Sequence, residues 1–269
     1  PLSQDRFGGV LYIYGDVGVG KPRLAYELQQ RHLDLYWSYM PCDSVLRKSF
    51  NPFHHFFSRF FGQSPDRGTN PQATRAQNRA NFELLYQALI SSLPDQVVHR
   101  QVNSIRQELT RLQSIMAGFL GLQQADSLYE QLDPRLRYQN TLYVFAEVFK
   151  ALSLRQPVVL EVEDFQWIDP DSTQALETLC QELDGFPFLL LITSRYMTPD
   201  RKPRLEVDAP MRAIDLNNFP SDNASALIAD HLGGEPTPHL VDYLLSKTQG
   251  NPLFLEQTLD YFKESGIIA

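Results

Sequence analysis

Cysteine is scarce in this sequence, positive charge is in deficit, and long hydrophobic runs are missing. Cys42 and Cys180 are the 2 cysteines among 269 residues, and their separation fits neither a disulfide framework nor a zinc-type spacing. No segment approaches the roughly 18 consecutive apolar residues of a membrane-spanning helix. We therefore expect a protein of a reducing compartment, the cytoplasm, with no membrane partner.

The charge balance argues against a nucleic-acid partner. Lys and Arg number 24 against 32 Asp and Glu, which gives a formal net charge of -8. A broad surface for the phosphates of DNA or RNA needs an excess of positive charge, so no direct nucleic-acid binding is expected of this segment. The sequence opens at Pro1 without a signal-peptide pattern, and we expect it to be a fragment of a longer chain.

A glycine-rich loop organises the amino-terminal part of the chain. The apolar run Val10–Tyr14 leads into residues 15–21, GDVGVGK, and apolar residues at helical spacing follow. The pattern predicts a strand, a loop and a helix. It matches the first seven positions of the Walker A motif G-x-x-x-x-G-K-[ST], in which backbone N–H groups and the lysine hold phosphates. The alternative is an ordinary glycine-rich turn.

The eighth position of the motif departs from the pattern. It holds Pro22, where Ser or Thr would place a hydroxyl on magnesium. Proline fits the first turn of a helix, but it offers no hydroxyl and removes one backbone N–H. We therefore expect nucleotide binding with weakly held Mg²⁺. The candidate contacts are the loop and the first helical turn: Gly15, Asp16, Val17, Gly18, Val19, Gly20, Lys21, Pro22 and Arg23.

A pair of carboxylates follows a second strongly apolar segment. The run Val158–Val162 predicts a buried strand that ends in Glu163 and Asp164. Carboxyl ends of parallel strands line the ligand crevice of open α/β sheets, where one acid can hold magnesium and its neighbour can orient water. The alternative is a pair of helix-capping acids, the role that we expect for Asp169 and Asp171. Glu161 interrupts the apolar run without an evident reason.

A third strand is predicted at Phe186–Thr193, and Ser194 and Arg195 follow it. An arginine at this strand end can sense a terminal phosphate. The alternative is a solvated surface arginine.

The remaining segments predict a helical insertion and a helical lid. A short strand at Leu35–Met40 precedes an insertion at about residues 44–133, in which Gln63–Arg79 is expected to be an exposed loop. The phenylalanine stripe at Phe53, Phe56, Phe57, Phe60 and Phe61 has helical spacing, which is more typical of core than of a partner groove. We expect a nucleotide-binding domain at 1–210 and a lid at 211–269, with a weak edge strand and then three helices.

Four segments together resemble a known family: GDVGVGKPRL, VVLEVEDFQWIDPDS, LLLITSR and KTQGNPLFLEQTL. They are similar to the AAA-type ATPase module of STAND proteins, the signal-transduction ATPases with numerous domains, in the branch found beside LuxR-type regulators, bacterial kinases and soluble adenylyl cyclases. The resemblance implies an α/β fold, an ASCE P-loop parallel sheet with helices on both faces, a sensor strand between the Walker A and Walker B strands, and a helical lid.

The resemblance also implies roles for single residues. Lys21 and the loop glycines would hold the phosphates of ATP or ADP, Glu163 would serve Mg²⁺, and Asp164 would orient the attacking water. Arg195 would match the sensor arginine. Pro252, in Gly250-Asn251-Pro252, would pack near adenine.

Three functions are compatible with these residues. The first is a regulatory ATP/ADP switch in a larger signalling protein, with slow or impaired hydrolysis and, as partners, other domains of the same chain, other proteins, or copies of itself in a nucleotide-dependent homo-oligomer. The second is an active ATPase that tolerates Pro22. The third is a degenerate P-loop scaffold that binds a partner protein through its helical insertion.

Overall fold

Five strands form one parallel sheet. The computed structural model describes residues 6–45, 48–65, 71–94, 99–198 and 201–267. The strands are β1 (Val10–Tyr14), β2 (Tyr36–Pro41), β3 (Val158–Glu163), β4 (Phe188–Ser194) and β5 (Met211–Asp215). Their order is β2-β3-β4-β1-β5, and every pairing is parallel. The α/β class is confirmed, and β4 lies between β1 and β3 as the resemblance implied.

Helices flank the sheet and fill the long connection between β2 and β3. Their bounds are α1 (Lys21–Arg31), α2 (Asn51–Phe60), α3 (Pro71–Ser91), α4 (His99–Phe119), α5 (Leu128–Gln131), α6 (Pro134–Ser153), α7 (Pro170–Glu182), α8 (Ser221–Leu232), α9 (Pro238–Thr248) and α10 (Pro252–Glu264). Within the described ranges, none of these helices combines the length and apolar character needed to cross a membrane.

The two faces of the sheet pack against different helices because successive strand residues alternate in direction. On one face, Ile13, Val159 and Leu191 pack with Ala25 of α1, and each is at most 1% exposed. On the opposite face, the main core joins β3 and β4 to α6 and α7. Helices therefore lie on both faces, and all strands present their carboxyl ends at one edge.

The insertion buries its phenylalanines. Phe53, Phe57 and Phe61 are each 0% exposed. The rings of Phe53 and Phe57 lie 4.7 and 4.8 Å from the ring of Phe145 in α6. Burial of one such side chain stabilises the fold by about 1.5–3 kcal/mol. The stripe is therefore core, and the interpretation as a partner groove is wrong.

One sequence prediction in the insertion is wrong. Residues 71–79, expected within an exposed loop, form the first part of α3. Pro71 is suited to the first helical turn, and the Ala, Gln and Arg residues that follow have high helix propensity, so polarity alone did not distinguish loop from exposed helix. Residues 66–70 of the expected loop lie outside the described residues.

A buried carboxylate connects the insertion to the helix after β3. Asp169 is 5% exposed and caps α7, as predicted, by accepting hydrogen bonds from the Ser172 backbone N–H (2.9 Å) and hydroxyl (2.6 Å). It also accepts from the backbone N–H groups of Phe50 (3.0 Å) and Asn51 (3.3 Å) at the start of α2. Two helix N-termini that are distant in sequence thus meet at one side chain, where their dipoles favour negative charge.

The carboxyl-terminal helices share a small core of their own. Ala224, Ile228, Leu244, Leu255 and Leu259 are each 0% exposed and belong to one cluster. The three predicted lid helices are present as α8, α9 and α10. Strand β5 precedes them and pairs with β1 at the sheet edge, so the sheet extends beyond residue 210. The division into two domains stays a prediction.

Replacement of Asp169 by Ala should destabilise the chain by about 3 kcal/mol, because four donors, three of them in buried hydrogen bonds, lose their acceptor. Chemical denaturation monitored by circular dichroism would measure the loss. Asp171→Ala is the matched control: this acid lies in the first turn of α7 and accepts hydrogen bonds near the surface, from the hydroxyls of Ser49 (2.6 Å) and Tyr138, and its loss should cost about 1 kcal/mol or less. Equal losses in the two variants would contradict the assigned role of Asp169.

Candidate functional site

The glycine-rich loop joins β1 to α1 through two left-handed residues. Gly18 has a φ of 82° and Gly20, at the N-cap of α1, a φ of 96°. Such angles are open to glycine and costly for most other residues. A side chain added at Gly20 would meet nothing within 4 Å, so the loop leaves open space at this position. The expected strand, loop and helix are all present.

The ammonium group of Lys21 lies inside the loop. Its Nζ donates to the carbonyl oxygens of Gly15 (2.8 Å) and Asp16 (2.9 Å), and the residue is 6% exposed. Among the described residues, Lys21 forms no ion pair. Burial lowers the pKa of Lys21, the charge of Asp164 opposes that shift, and the charge of Arg195 adds to it. The loop thus holds a buried cation by means of neutral acceptors.

Both carboxylates lie on the side of the sheet that carries Lys21. Glu163 is the last residue of β3 and shares the alternating face of Val159, which packs against α1. Asp164 follows in a left-handed conformation, with a φ of 55°, and its N–H donates to the Thr193 hydroxyl (3.3 Å). The charges of both acids act on Lys21, and Asp164 acts more strongly. Loop and acids therefore face one another.

Gln166 connects the acid pair to β4. Its Nε2 donates to Asp164 Oδ1 (2.8 Å), and its Oε1 accepts from the backbone N–H of Arg195 (2.9 Å) and the Ser194 hydroxyl (3.1 Å). Both ends of the amide are used, which fixes its orientation. Sequence reasoning did not assign Gln166 a role, and its position beside the acid pair was the one available signal.

Arg195 carries a buried donor without a partner. Its Nε has no hydrogen-bond partner, and the residue forms no ion pair with any described residue. It lines a cavity of about 610 Å³ together with Asp164 and two residues of α2, Asn51 and His55. The burial of this nitrogen favours a position in the site over a solvated one, and the role of Arg195 stays a prediction. The contribution of α2 to the cavity was not predicted.

Tyr39 of β2 makes a contact with the acid pair that the sequence did not predict. Its hydroxyl donates to Glu163 Oε2. Burial raises the pKa of Tyr39, and the hydrogen bond to Glu163 raises it further, so the phenol remains a donor at neutral pH. The ring of His55 lies edge-on to Tyr39, 6.2 Å between centroids.

Cys42, which follows β2, lines the same cavity as Arg195. Burial raises the pKa of its thiol to about 12, which makes it a poor nucleophile.

The other predicted contacts of the loop and the first turn of α1 differ in exposure. Asp16, Val17, Pro22 and Arg23 are exposed, and Arg23 pairs with Glu27 at 2.7 Å. Val19 is buried at 6% exposed.

The lid reaches the loop from the other side. Pro252 is the first residue of α10, between Asn251 and Leu253. The Asn251 side-chain amide donates to the Val17 carbonyl (2.8 Å), and the Leu253 N–H donates to the Gly18 carbonyl (3.2 Å). The three residues therefore lie against the loop.

Comparison with known proteins adds to this geometry. A family model described as the AAA ATPase domain matches residues 2–192. The chain belongs to this AAA ATPase domain family. Its members generally bind ATP or ADP with Mg²⁺. The match confirms the AAA-type ATPase module expected from the sequence motifs.

An uncharacterized protein of Rhizobium meliloti (strain 1021), R02095, is 25% identical over 272 residues, which cover 96% of this chain and 23% of that protein. The chain thus spans about a quarter of that curated relative. A STAND protein with a tetratricopeptide repeat sensor from Pyrococcus horikoshii is 15% identical, at a TM-score of 0.44 over 96% of this chain and 28% of that one. Drosophila ORC bound to DNA is 10% identical, at a TM-score of 0.38 over 95% and 48%.

Glu161 provides a pH-dependent prediction. It lies on the α1 face of β3, where burial and the neighbouring charge of Glu163 raise its pKa to about 7. The folded chain therefore keeps this proton between pH values of about 4.5 and 7, where the unfolded chain loses it, and stability falls as pH rises through that range. Glu161→Gln should raise the melting temperature by about 2 °C or more at pH 8, and much less at pH 5.

Melting curves at the two pH values measure this effect. The control is Glu256→Gln, at an exposed position of α10, which should change the melting temperature at neither pH. An equal gain from Glu161→Gln at pH 5 and pH 8 would show that burial of its charge is not the cause.

Proposed function

We propose that this chain is a regulatory nucleotide switch that binds ATP or ADP with the phosphates at the glycine-rich loop and the adenine beside the lid, and hydrolyses ATP slowly. One observation carries the proposal: two cations lie at the end of the loop without a carboxylate partner among the described residues. Lys21 is bonded to loop carbonyls, and the Arg195 Nε has no partner. The charge of Arg195 lowers the pKa of Lys21, so the two repel one another.

A polyphosphate would relieve this repulsion. Its negative charge compensates both cations, and charge-assisted hydrogen bonds to phosphate are the strongest that lysine and arginine form. Gly15, Gly18 and Gly20 allow the close backbone approach that a phosphate needs, and the N-terminus of α1 adds a favourable dipole. The open space at Gly20 supports this placement.

The acid pair is suited to bind magnesium, but two neighbouring residues would weaken the binding. Glu163 would hold Mg²⁺ and Asp164 would orient the attacking water, since carboxylate oxygens are ligands that Mg²⁺ prefers. When bound, the ion would neutralise charge on the phosphates. Pro22 offers it no hydroxyl, and Tyr39 already donates to Glu163 Oε2. Both features support weak metal binding and slow turnover.

A switch also needs an element that responds to the nucleotide. The first turn of α10 lies against the outer side of the loop through Asn251 and Leu253. Pro252 would pack near adenine at this junction. As in the STAND proteins that the motifs resemble, the lid would couple nucleotide state to other domains, partner proteins or nucleotide-dependent self-association in the cytoplasm.

An active ATPase is the second candidate. The hydrogen-bonded chain from Asp164 through Gln166 to the backbone N–H of Arg195 favours it, because it fixes the acid relative to the end of β4 before any ligand binds. In that case ordered waters would complete the metal shell that Pro22 leaves open.

Nucleotide binding should depend on Lys21. ATP at about 100 times its dissociation constant should stabilise the native chain by about 2.7 kcal/mol, or roughly 5 °C in melting temperature. Lys21→Ala should abolish that shift, because the buried cation is lost. Thermal-shift measurements check this, with Arg31→Ala, an exposed cation at the end of the same helix, as the control that keeps the shift. A native chain that ATP and ADP fail to stabilise would instead indicate a scaffold.

Impaired hydrolysis should be relieved by restoring the hydroxyl. Pro22→Ser returns both the hydroxyl and the backbone N–H, whereas Pro22→Ala returns the N–H alone. Phosphate release with Mg²⁺ should rise about tenfold or more in the serine variant and little in the alanine variant. If the native chain hydrolyses ATP as fast as the serine variant, it is an active ATPase and the impaired switch is wrong.

A further inference from the structure

Asn251 uses both ends of its side chain at the junction of lid and loop. The residue is 6% exposed and is the N-cap of α10. Its Oδ1 accepts from the backbone N–H groups of Leu253 (3.1 Å) and Phe254 (3.4 Å), and its Nδ2 donates to the Val17 carbonyl (2.8 Å). One side chain thus starts a helix and connects that helix to a segment 234 residues away in sequence.

The approach of lid and loop at this point is close. A side-chain carbon at Gly18 would lie 2.5 Å from Asn251 Oδ1 and 2.9 Å from the Leu253 Cβ. A glycine is therefore required at position 18 for contact with the lid, in addition to its positive φ. The Leu253 N–H, which donates to the Gly18 carbonyl at 3.2 Å, completes the junction.

The bonds from Asn251 Nδ2 to the Val17 carbonyl and from the Leu253 N–H to the Gly18 carbonyl fix the orientation of two successive peptide groups. In a trans peptide the C=O of one residue and the N–H of the next point in opposite directions, and the described residues contain no cis bond. The Val17 carbonyl points at Asn251, so the Gly18 N–H points away from the lid. The Gly18 carbonyl points at Leu253, so the Val19 N–H also points away from the lid.

We propose that Asn251 is a positioning residue for phosphate binding: it holds the loop so that the N–H groups of Gly18 and Val19 face the phosphates. The inference rests on the proposed nucleotide function. This positioning role makes the affinity for phosphate depend on a docked lid. By linkage, bound phosphate then strengthens the docking of the lid. A lid displaced by another domain would release nucleotide without any change in the loop sequence.

Two substitutions separate this role from helix capping. Asn251→Asp keeps an oxygen to cap α10 but places a negative acceptor against the Val17 carbonyl. Asn251→Ser also keeps a good N-cap, without added charge, but is too short to reach Val17. Calorimetry on the whole chain should show about a tenfold loss of affinity for ADP in both variants. Affinity for adenosine, which has no phosphate, should not change.

The control is Asn223→Asp, the same change at an exposed position of α8, which should leave ADP affinity unaltered. Equal losses for ADP and adenosine would overturn the inference, because the part of the affinity that depends on phosphate would then be unchanged. Unchanged ADP affinity in both variants would overturn this inference and would leave the proposed nucleotide function standing. If the native chain binds no ADP, the proposed function fails and the inference fails with it.

Discussion

The structure depends on a buried ammonium that the chain itself holds in place. Lys21 Nζ donates to two carbonyls of the loop that precedes it, which requires the loop to turn back over the first residue of α1. Left-handed glycines at positions 18 and 20 make that turn possible. Burial of a charge without an ion-pair partner among the described residues is costly, and the lowered pKa of Lys21 reflects that cost, although the charge of Asp164 opposes the shift. An anion at this position would remove the cost.

Three buried or half-buried polar side chains join distant segments around this centre. Asp169 brings the start of α2 to the start of α7, Gln166 brings Asp164 to Arg195, and Asn251 brings the lid to the loop. Each forms hydrogen bonds in two directions, so loss of one partner leaves a buried polar group unsatisfied. The insertion, the acid pair and the lid are therefore each joined to a distant segment by one such side chain, and of the three side chains Asn251 is the one that reaches the loop.

Local patterns in the sequence predict most of the strands and helices of the fold. The apolar runs before Gly15, Glu163 and Ser194 predict β1, β3 and β4 to within two residues, and the three helices expected in the lid are present. The acid pair could be located because the carboxyl ends of parallel strands share an edge. The start of α3 was missed because an exposed helix and a polar loop have similar composition.

The contacts that complete the site could not be predicted in the same way. Tyr39 reaches Glu163 across strands 124 residues apart in sequence, and Asn251 reaches Val17 over 234 residues. No periodicity encodes such pairs, because they depend on which strand ends become neighbours and on how the lid docks. The sequence predicts Tyr39 only as part of the short strand at Leu35–Met40, and Asn251 only as part of a family motif in which Pro252 is the residue expected to act.

A crystal structure of the chain with ADP would test the central claim most directly. We expect density for the two phosphates at the loop, within hydrogen-bond distance of Lys21 Nζ, in place of its bonds to the Gly15 and Asp16 carbonyls. A loop that still holds Lys21 on both carbonyls at saturating ADP, with nucleotide bound elsewhere or absent, would contradict the account.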